Sequence, residues 1–290
     1  MPAPGSGRMT TLAVDAHVHL WRYQAAEFDW ISDSMTVLKR DFLGDELAQE
    51  FAASGVRGGV AVQARSSLAE TDFLLAQQAA SSAILGVVGW VDLQAPDVGS
   101  VLERYAGTLV GVRHIVQSEP DDDFLLRPDF QRGVSLLAGF GMTYDILIFP
   151  RHLPAACRFA DRNPDLPLVL DHLAKPPIAA GGMEPWATDL RALARRPHVF
   201  VKASGLVTEA VWASWTADQL RRYLDVAFEA FGPERILFGS DAPVCRVAAS
   251  YAQVRRVIDD YCARLSDTER ARVLADNAIA FYRLTARAGA

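Results

Sequence analysis

Short apolar runs alternate with longer amphipathic stretches along almost the whole chain. The apolar runs fall at 12–16, 58–63, 84–91, 109–115, 142–148, 166–170, 199–202 and 235–239. Each is brief and rich in Leu, Val or Ile, as strands covered on both faces require. The segments between them have helix length. Leu47, Ala48 and Phe51 make one stripe within 45–53, and Leu220, Leu224, Ala227 and Phe228 make another within 219–231. Turn chemistry agrees with this division. Gly55 stands where a left-handed helix cap is wanted, and Pro164 and Pro197 fall just before the sixth and seventh runs. Ser266 followed by Glu269 spells a capping box, which predicts a last helix running to about Leu284.

Strand–helix alternation with short links demands parallel strands and right-handed crossovers. Eight such units predict an α/β fold, a single closed (β/α)8 TIM barrel with a C-terminal helix. An open doubly wound sheet is the rival arrangement, but no GxGxxG or GxxxxGK[ST] turn follows the first run. The barrel is expected to occupy residues 11–290. Residues 1–10, with Pro2, Pro4, Gly5, Ser6 and Gly7, read as a short disordered leader without the apolar segment of a secretion signal.

Composition narrows the partners. A chain of 290 residues, half of them hydrophobic, can bury a large core without a disulfide or a metal to hold it. A net charge of −6 argues against nucleic acid, whose phosphates want a basic face. No apolar run approaches the ~18 residues of a membrane span. Cys157, Cys245 and Cys262 show no CxxC pairing, and an odd count favours a reducing cytoplasm.

In a barrel, catalytic groups come from the C-terminal ends of the strands. Here those ends are strongly ionisable. The first carries His17 and His19, the fourth Arg113 and His114, and the fifth Tyr144 and Asp145. The sixth carries Asp171, His172 and Lys175, the seventh Lys202 and Ser204, and the eighth Asp241. Four of the six histidines lie at such ends, which packing alone does not explain. Residues two apart on a strand share a face, so His17 and His19 are expected to enter the barrel mouth together. There they could share a metal ion or a developing oxyanion; a hydrogen-bonded polar strand end is the plainer alternative.

Asp241 reads as a general base in a partly dry cavity, against the simpler role of capping the turn before Pro243. For His172 the alternative is a satisfied core histidine, and for Lys175 a plain surface charge. Arg113 and His114 either bind substrate oxygen or brace the barrel. Gln63 offers a donor and an acceptor for hydroxyl recognition, or a cap. Trp30, with Trp21 and Trp90, either walls a pocket or packs in the core. No GxSxG elbow is present, which sets aside a serine esterase of the α/β-hydrolase type. Cys245 is a poor candidate nucleophile.

Taken together, DAHVHLW at 15–21, VVGWVDL at 87–93, GVRH at 111–114, LDHLAKP at 170–176, FGSDAPV at 238–244 and ADNAIAFYRL at 275–284 resemble the amidohydrolase superfamily. The resemblance is to its lactonase branch, that of L-fuconolactonase and 2-pyrone-4,6-dicarboxylate lactonase. It implies a catalytic core of His17, His19, His172 and Asp241. Two-metal members of the superfamily carry a carboxylated lysine at the end of the fourth strand, where this chain has Arg113 and His114. What the resemblance implies is therefore one divalent metal, such as zinc, on His17, His19 and Asp241, or none. The pyrone-dicarboxylate enzyme has an arginine at the position of Lys175, in an arginine-lined site. Lys175, with Gln63 and His114, favours instead an uncharged, hydroxylated small-molecule lactone such as L-fuconolactone. The expected substrate contacts are Trp30, Gln63, Arg113, His114, Asp145 and Lys175, and the expected reaction is water attack with Asp241 as base. A zinc-dependent decarboxylase, or another hydrolase of the superfamily, is the rival activity. A sugar-binding protein without turnover is a more distant one.

Overall fold

The computed structural model describes residues 13–284, so the expected leader at 1–10 lies outside the described residues. Eight strands lie in one sheet in chain order, every neighbouring pair parallel. They are β1 Ala13–Val18, β2 Val56–Val62, β3 Ile84–Gly89 and β4 Gly111–His114, then β5 Thr143–Ile146, β6 Leu168–Leu170, β7 Val199–Ala203 and β8 Ile236–Phe238. A parallel bridge between Val18 and Ala242 joins the last connection to the first strand and closes the barrel. Helices such as Gly44–Ala53 and Ala217–Phe231 bury the stripes read from the sequence, with Leu47 and Phe51 inward on the first and Leu220, Leu224 and Ala227 on the second.

The first strand extends two residues beyond its apolar run, so His17 is within β1 and His19 lies just past it. Several other runs overshoot their strands because their last residues turn out of the sheet into the mouth loops.

Two features position the mouth. At the bottom, the segment starting at Ser266 is helical through Phe281, with one π turn at Arg272–Asp276. Ser266 and Glu269 make the expected reciprocal cap, Glu269 N–H donating to Ser266 Oγ at 3.3 Å and Ser266 N–H to Glu269 Oε2 at 2.9 Å. This segment packs Ala275, Ala278, Phe281, Tyr282 and Leu284 against Val14, Val60, Val88, Val169 and Leu237, sealing the lower end of the barrel. At the top, Asp15 ties β1 to the end of β8. Its carboxyl accepts from the backbone of His17 (3.0 Å) and Ser240 (2.9 Å) and from the Tyr251 hydroxyl (2.9 Å).

Candidate active site

The strand ends converge. His17 Nε2 lies 3.1 Å from His19 Nε2, and Asp241 Oδ1 lies 3.3 Å from His19 Nε2 and 3.9 Å from Nε2 of both His17 and His172. Residues of β1, the β6 exit and the β8 exit, distant in sequence, thus share one buried spot. Above it opens a cavity of about 350 Å3 whose walls include His19, Trp30, Arg113, His114, His172, Lys175 and Asp241.

Backbone conformation aims these groups. His172, Leu173, Ala174 and Lys175 all take left-handed φ values of 52–57°, and Asp241 takes 59°. Such conformations are costly for residues with a Cβ and persist only where neighbours enforce them. Trp186 Nε1 holds the first stretch by donating to Leu173 O at 2.7 Å, and Lys175 N–H donates to His172 O at 2.8 Å. Gly205, after β7, makes room for the histidine. A Cβ there would lie 2.6 Å from His172 Nδ1, and its own φ is +66°.

Hydrogen bonds orient the rings. His19 Nδ1 lies 2.7 Å from Val62 O, which needs a proton on Nδ1 and turns Nε2 towards the mouth. His172 Nδ1 meets Ser204 Oγ at 2.8 Å. Burial lowers the His172 imidazole to about 4, against the pull of Asp241 and Asp171, so the ring is neutral at neutral pH. Burial alone would raise the Asp241 carboxyl. His172, His19 and Lys175 outweigh it, hold the group below the usual carboxylate range and keep it ionised.

Beneath the mouth lies a buried charge cluster. Lys202 Nζ sits 2.5 Å from Asp145 Oδ2, 2.9 Å from Asp171 Oδ1 and 3.0 Å from His17 Nδ1. Arg113 Nη1 donates to Asp171 Oδ2 at 2.8 Å, and Tyr282 OH to Asp145 Oδ2 at 2.7 Å. Asp171 is held well below its ordinary value. Burial would raise it, but Lys202, His17 and Arg113 dominate. Burial raises Asp145 to about 6 despite Lys202.

This cluster corrects two expected substrate contacts. Asp145 is fully buried, is spent on Lys202 and Tyr282, and is not on the cavity wall. Gln63 is likewise fully buried below the wall, its Nε2 donating to Arg113 O at 3.2 Å while Arg113 Nη2 donates back to Gln63 O. Its role is to brace Arg113. Trp21 packs with Phe28 and Phe42 in the core. The thiol of Cys245 is pushed well above its ordinary value by burial and by Asp241, which fits its poor prospects as a nucleophile.

The loops add residues that sequence reasoning missed. Glu27, Asp29, Arg65 and Glu119 line the cavity. His114 serves one of them. Trp90 Nε1 donates to its Nδ1 at 3.4 Å, so Nε2–H donates to Glu119 Oε1 at 2.7 Å. Each basic side chain on the wall faces a carboxylate: Arg65 with Glu27 at 2.7 Å, Arg113 with Asp171 at 2.8 Å and Lys175 with Glu209 at 3.6 Å. Only the order of loop residues along the chain hinted at them, because their spacing carries no period.

The donor set suits one divalent cation. Nε2 of His17, Nε2 of His19 and Oδ1 of Asp241 are separated by 3.1, 3.3 and 3.9 Å. Ligands bound tetrahedrally to zinc stand about 3.3 Å apart. A second group, His17, Asp171 and His172, is close enough in space. Its carboxylate, however, is already engaged by Lys202 and Arg113.

Comparison with known proteins agrees with this architecture. The family described as Amidohydrolase matches residues 14–284. An L-fucono-1,5-lactonase of Burkholderia multivorans is 42% identical over 288 residues, covering 95% of this chain and 97% of that protein. An L-fucono-1,5-lactonase of Burkholderia ambifaria is 35% identical over 287 residues, covering 96% and 98%. A crystal structure of an amidohydrolase from Burkholderia multivorans with bound zinc superposes with a TM-score of 0.92 at 41% identity, covering 94% of this chain and all of that one. A family match that runs from the first strand to the end of the last helix, with relatives 42% and 35% identical over almost the whole chain, shows that this chain belongs to the amidohydrolase family.

Proposed function

We propose that this protein is a lactonase that opens an uncharged sugar lactone, L-fucono-1,5-lactone being the first candidate, by adding water to the ring carbonyl. One observation carries the reading: Asp241 Oδ1 stands within 3.9 Å of three imidazole Nε2 atoms at the floor of an open cavity. The two L-fucono-1,5-lactonases that match almost end to end support the substrate class. The wall supports an uncharged ligand, because Arg65, Arg113 and Lys175 are each matched by a carboxylate and offer a substrate anion little unspent charge. Carboxylates such as Glu119, by contrast, are good acceptors for sugar hydroxyls.

In this reaction the ionised Asp241 takes a proton from the attacking water. Nε2–H groups at the floor, His172 foremost, donate to the carbonyl oxygen as it becomes an oxyanion. The protonated Asp241 then returns its proton to the ring oxygen as the C–O bond breaks. Alkoxide leaves more readily than an amine anion, so the step asks less of the site than amide hydrolysis does. When bound by His17, His19 and Asp241, a zinc ion would supply Lewis-acid polarisation at the same spot. Among the described residues no helix is long and apolar enough to cross a membrane, and Cys157, Cys245 and Cys262 are free thiols, which supports work in a reducing cytoplasm.

A pH-indicator screen of aldonolactones and aromatic dicarboxylate lactones, with and without chelator, tests the reading. Proton release with an aldonolactone and none with the dicarboxylates is the expected result. Carbon dioxide release from an aromatic acid, with no lactone opened, would replace it with the decarboxylase reading.

A further inference from the structure

Ring opening changes the charge of the ligand. Water added to an uncharged lactone gives a hydroxyl and, at neutral pH, a carboxylate, with one proton passed to solvent. The site must therefore bind a neutral molecule and let go of an anion. A wall cation with unused hydrogen-bond donors would hold that anion back.

Three cations line the cavity, Arg65, Arg113 and Lys175. The guanidinium of Arg113 is fixed, Nη1 donating to Asp171 Oδ2 at 2.8 Å and Nη2 to Gln63 O. Arg65 Nη1 stands 2.7 Å from Glu27 Oε2. Lys175 is held more loosely. Its ammonium has three N–H donors. Among the described residues Glu209 is the one carboxylate within 4 Å of Nζ, and its Oε1 lies at 3.6 Å, too far for a hydrogen bond. Nζ also stands 5.7 Å from the centroid of the Phe149 ring.

Glu209 belongs to the loop after β7 and is not on the cavity wall. Its carbonyl accepts from the backbone N–H of Ala179 at 2.9 Å, which ties its loop to the segment that follows Lys175. Only 20% of the Lys175 side chain and 22% of the Glu209 side chain are exposed, so solvent ions screen the pair weakly. Glu209 thus cancels the charge of Lys175 while leaving its donors unoccupied.

We propose that Glu209 keeps the site from retaining anions, neutralising Lys175 from outside the cavity so that the carboxylate product leaves. Glu209 is a positioning residue, acting on the ligand only through Lys175. The inference rests on the functional reading above, because a carboxylate product exists only where a lactone is opened.

The experiment is calorimetric titration of the full chain with L-fuconate and with L-fucitol, the uncharged alditol of the same carbon chain. Glu209→Gln is expected to bind L-fuconate at least fivefold more tightly than wild type does, with L-fucitol unmoved. The gain should vanish in the double variant Glu209→Gln with Lys175→Met. A purely structural role for Glu209 would move both ligands together. Should the glutamine variant not fold, Glu209→Asp withdraws the charge by one methylene and is expected to tighten L-fuconate at least twofold. A smaller gain in the variant that folds, a matching gain for L-fucitol, or a gain that survives loss of Lys175 would each overturn the proposal. The two readings fail separately. A protein that opens the lactone but shows no gain loses only this inference. One that gains anion affinity but opens no lactone loses the functional reading.

Discussion

The backbone N–H of Asp241 donates to the carbonyl of His17 at 2.9 Å. The proposed base and the first histidine are therefore joined through main chain as well as across the mouth. His19 N–H donates to Ala242 O at 2.6 Å and repeats the link one step outward. The barrel closes at the place where the chemistry is proposed, so distortion of the β1–β8 seam moves the base relative to the rings.

Asp241→Asn keeps those backbone bonds and removes the proton acceptor. Lactone opening should fall by ~10²–10⁴-fold, the usual worth of a positioned general base. The melting temperature should stay within a few degrees of wild type. Turnover within tenfold of wild type would take the role of base away from Asp241.

Gly205→Ala tests the support behind His172. The new methyl group would meet the ring at 2.6 Å in a backbone conformation that L residues resist. Expected costs are ~1–3 kcal/mol of stability and a drop in kcat as the imidazole is pushed aside. Unchanged kcat, measured at saturating lactone, would mean the ring tolerates displacement and does little in the reaction.

Glu119→Ala probes hydroxyl recognition. His114 holds this carboxylate at the cavity wall, away from the reacting floor. A residue that binds ground state and transition state alike changes KM and not kcat. KM should rise about tenfold, equivalent to ~1.4 kcal/mol. A fall in kcat with KM unchanged would place Glu119 among the reacting groups instead.

Glu70 makes stability depend on pH. Its two oxygens accept the backbone N–H groups of Ala64 and Arg65, both at 2.7 Å, and so fix a loop that walls the cavity. Burial raises its carboxyl to about 7 from an ordinary 4.5, against those hydrogen bonds and Arg65. A folded-state value above the unfolded one means the native state holds the proton more tightly. This contribution is complete below pH 4.5 and is lost as pH rises through 7. Measured by urea unfolding, wild type should lose roughly 2–3 kcal/mol relative to Glu70→Gln between pH 4.5 and 7.5. A difference that does not vary with pH would refute it.

The barrel was legible because burial on both strand faces leaves a strong imprint: eight short apolar runs with polar ends. The catalytic candidates were legible for the same reason, since a histidine or aspartate that ends such a run lies at the mouth end of its strand. The depth of each side chain was not. Arg113 and Asp145 are register partners on β4 and β5. The long arginine reaches the cavity wall, whereas the short aspartate stays below it with Lys202.

Amino-acid order determined the fold and the strand ends, because local periodicity and chain direction suffice to say which end of a strand faces the mouth, while the choice of residues 17, 19, 172 and 241 among those ends came from the resemblance to the amidohydrolase superfamily. Only the tertiary structure decided that Lys202 and Asp171 flank one nitrogen of His17, that Gly205 clears space for His172, and that Glu119 joins the wall. Those relationships depend on strand stagger, side-chain length and loop course, and none of these has a period that a linear pattern can carry.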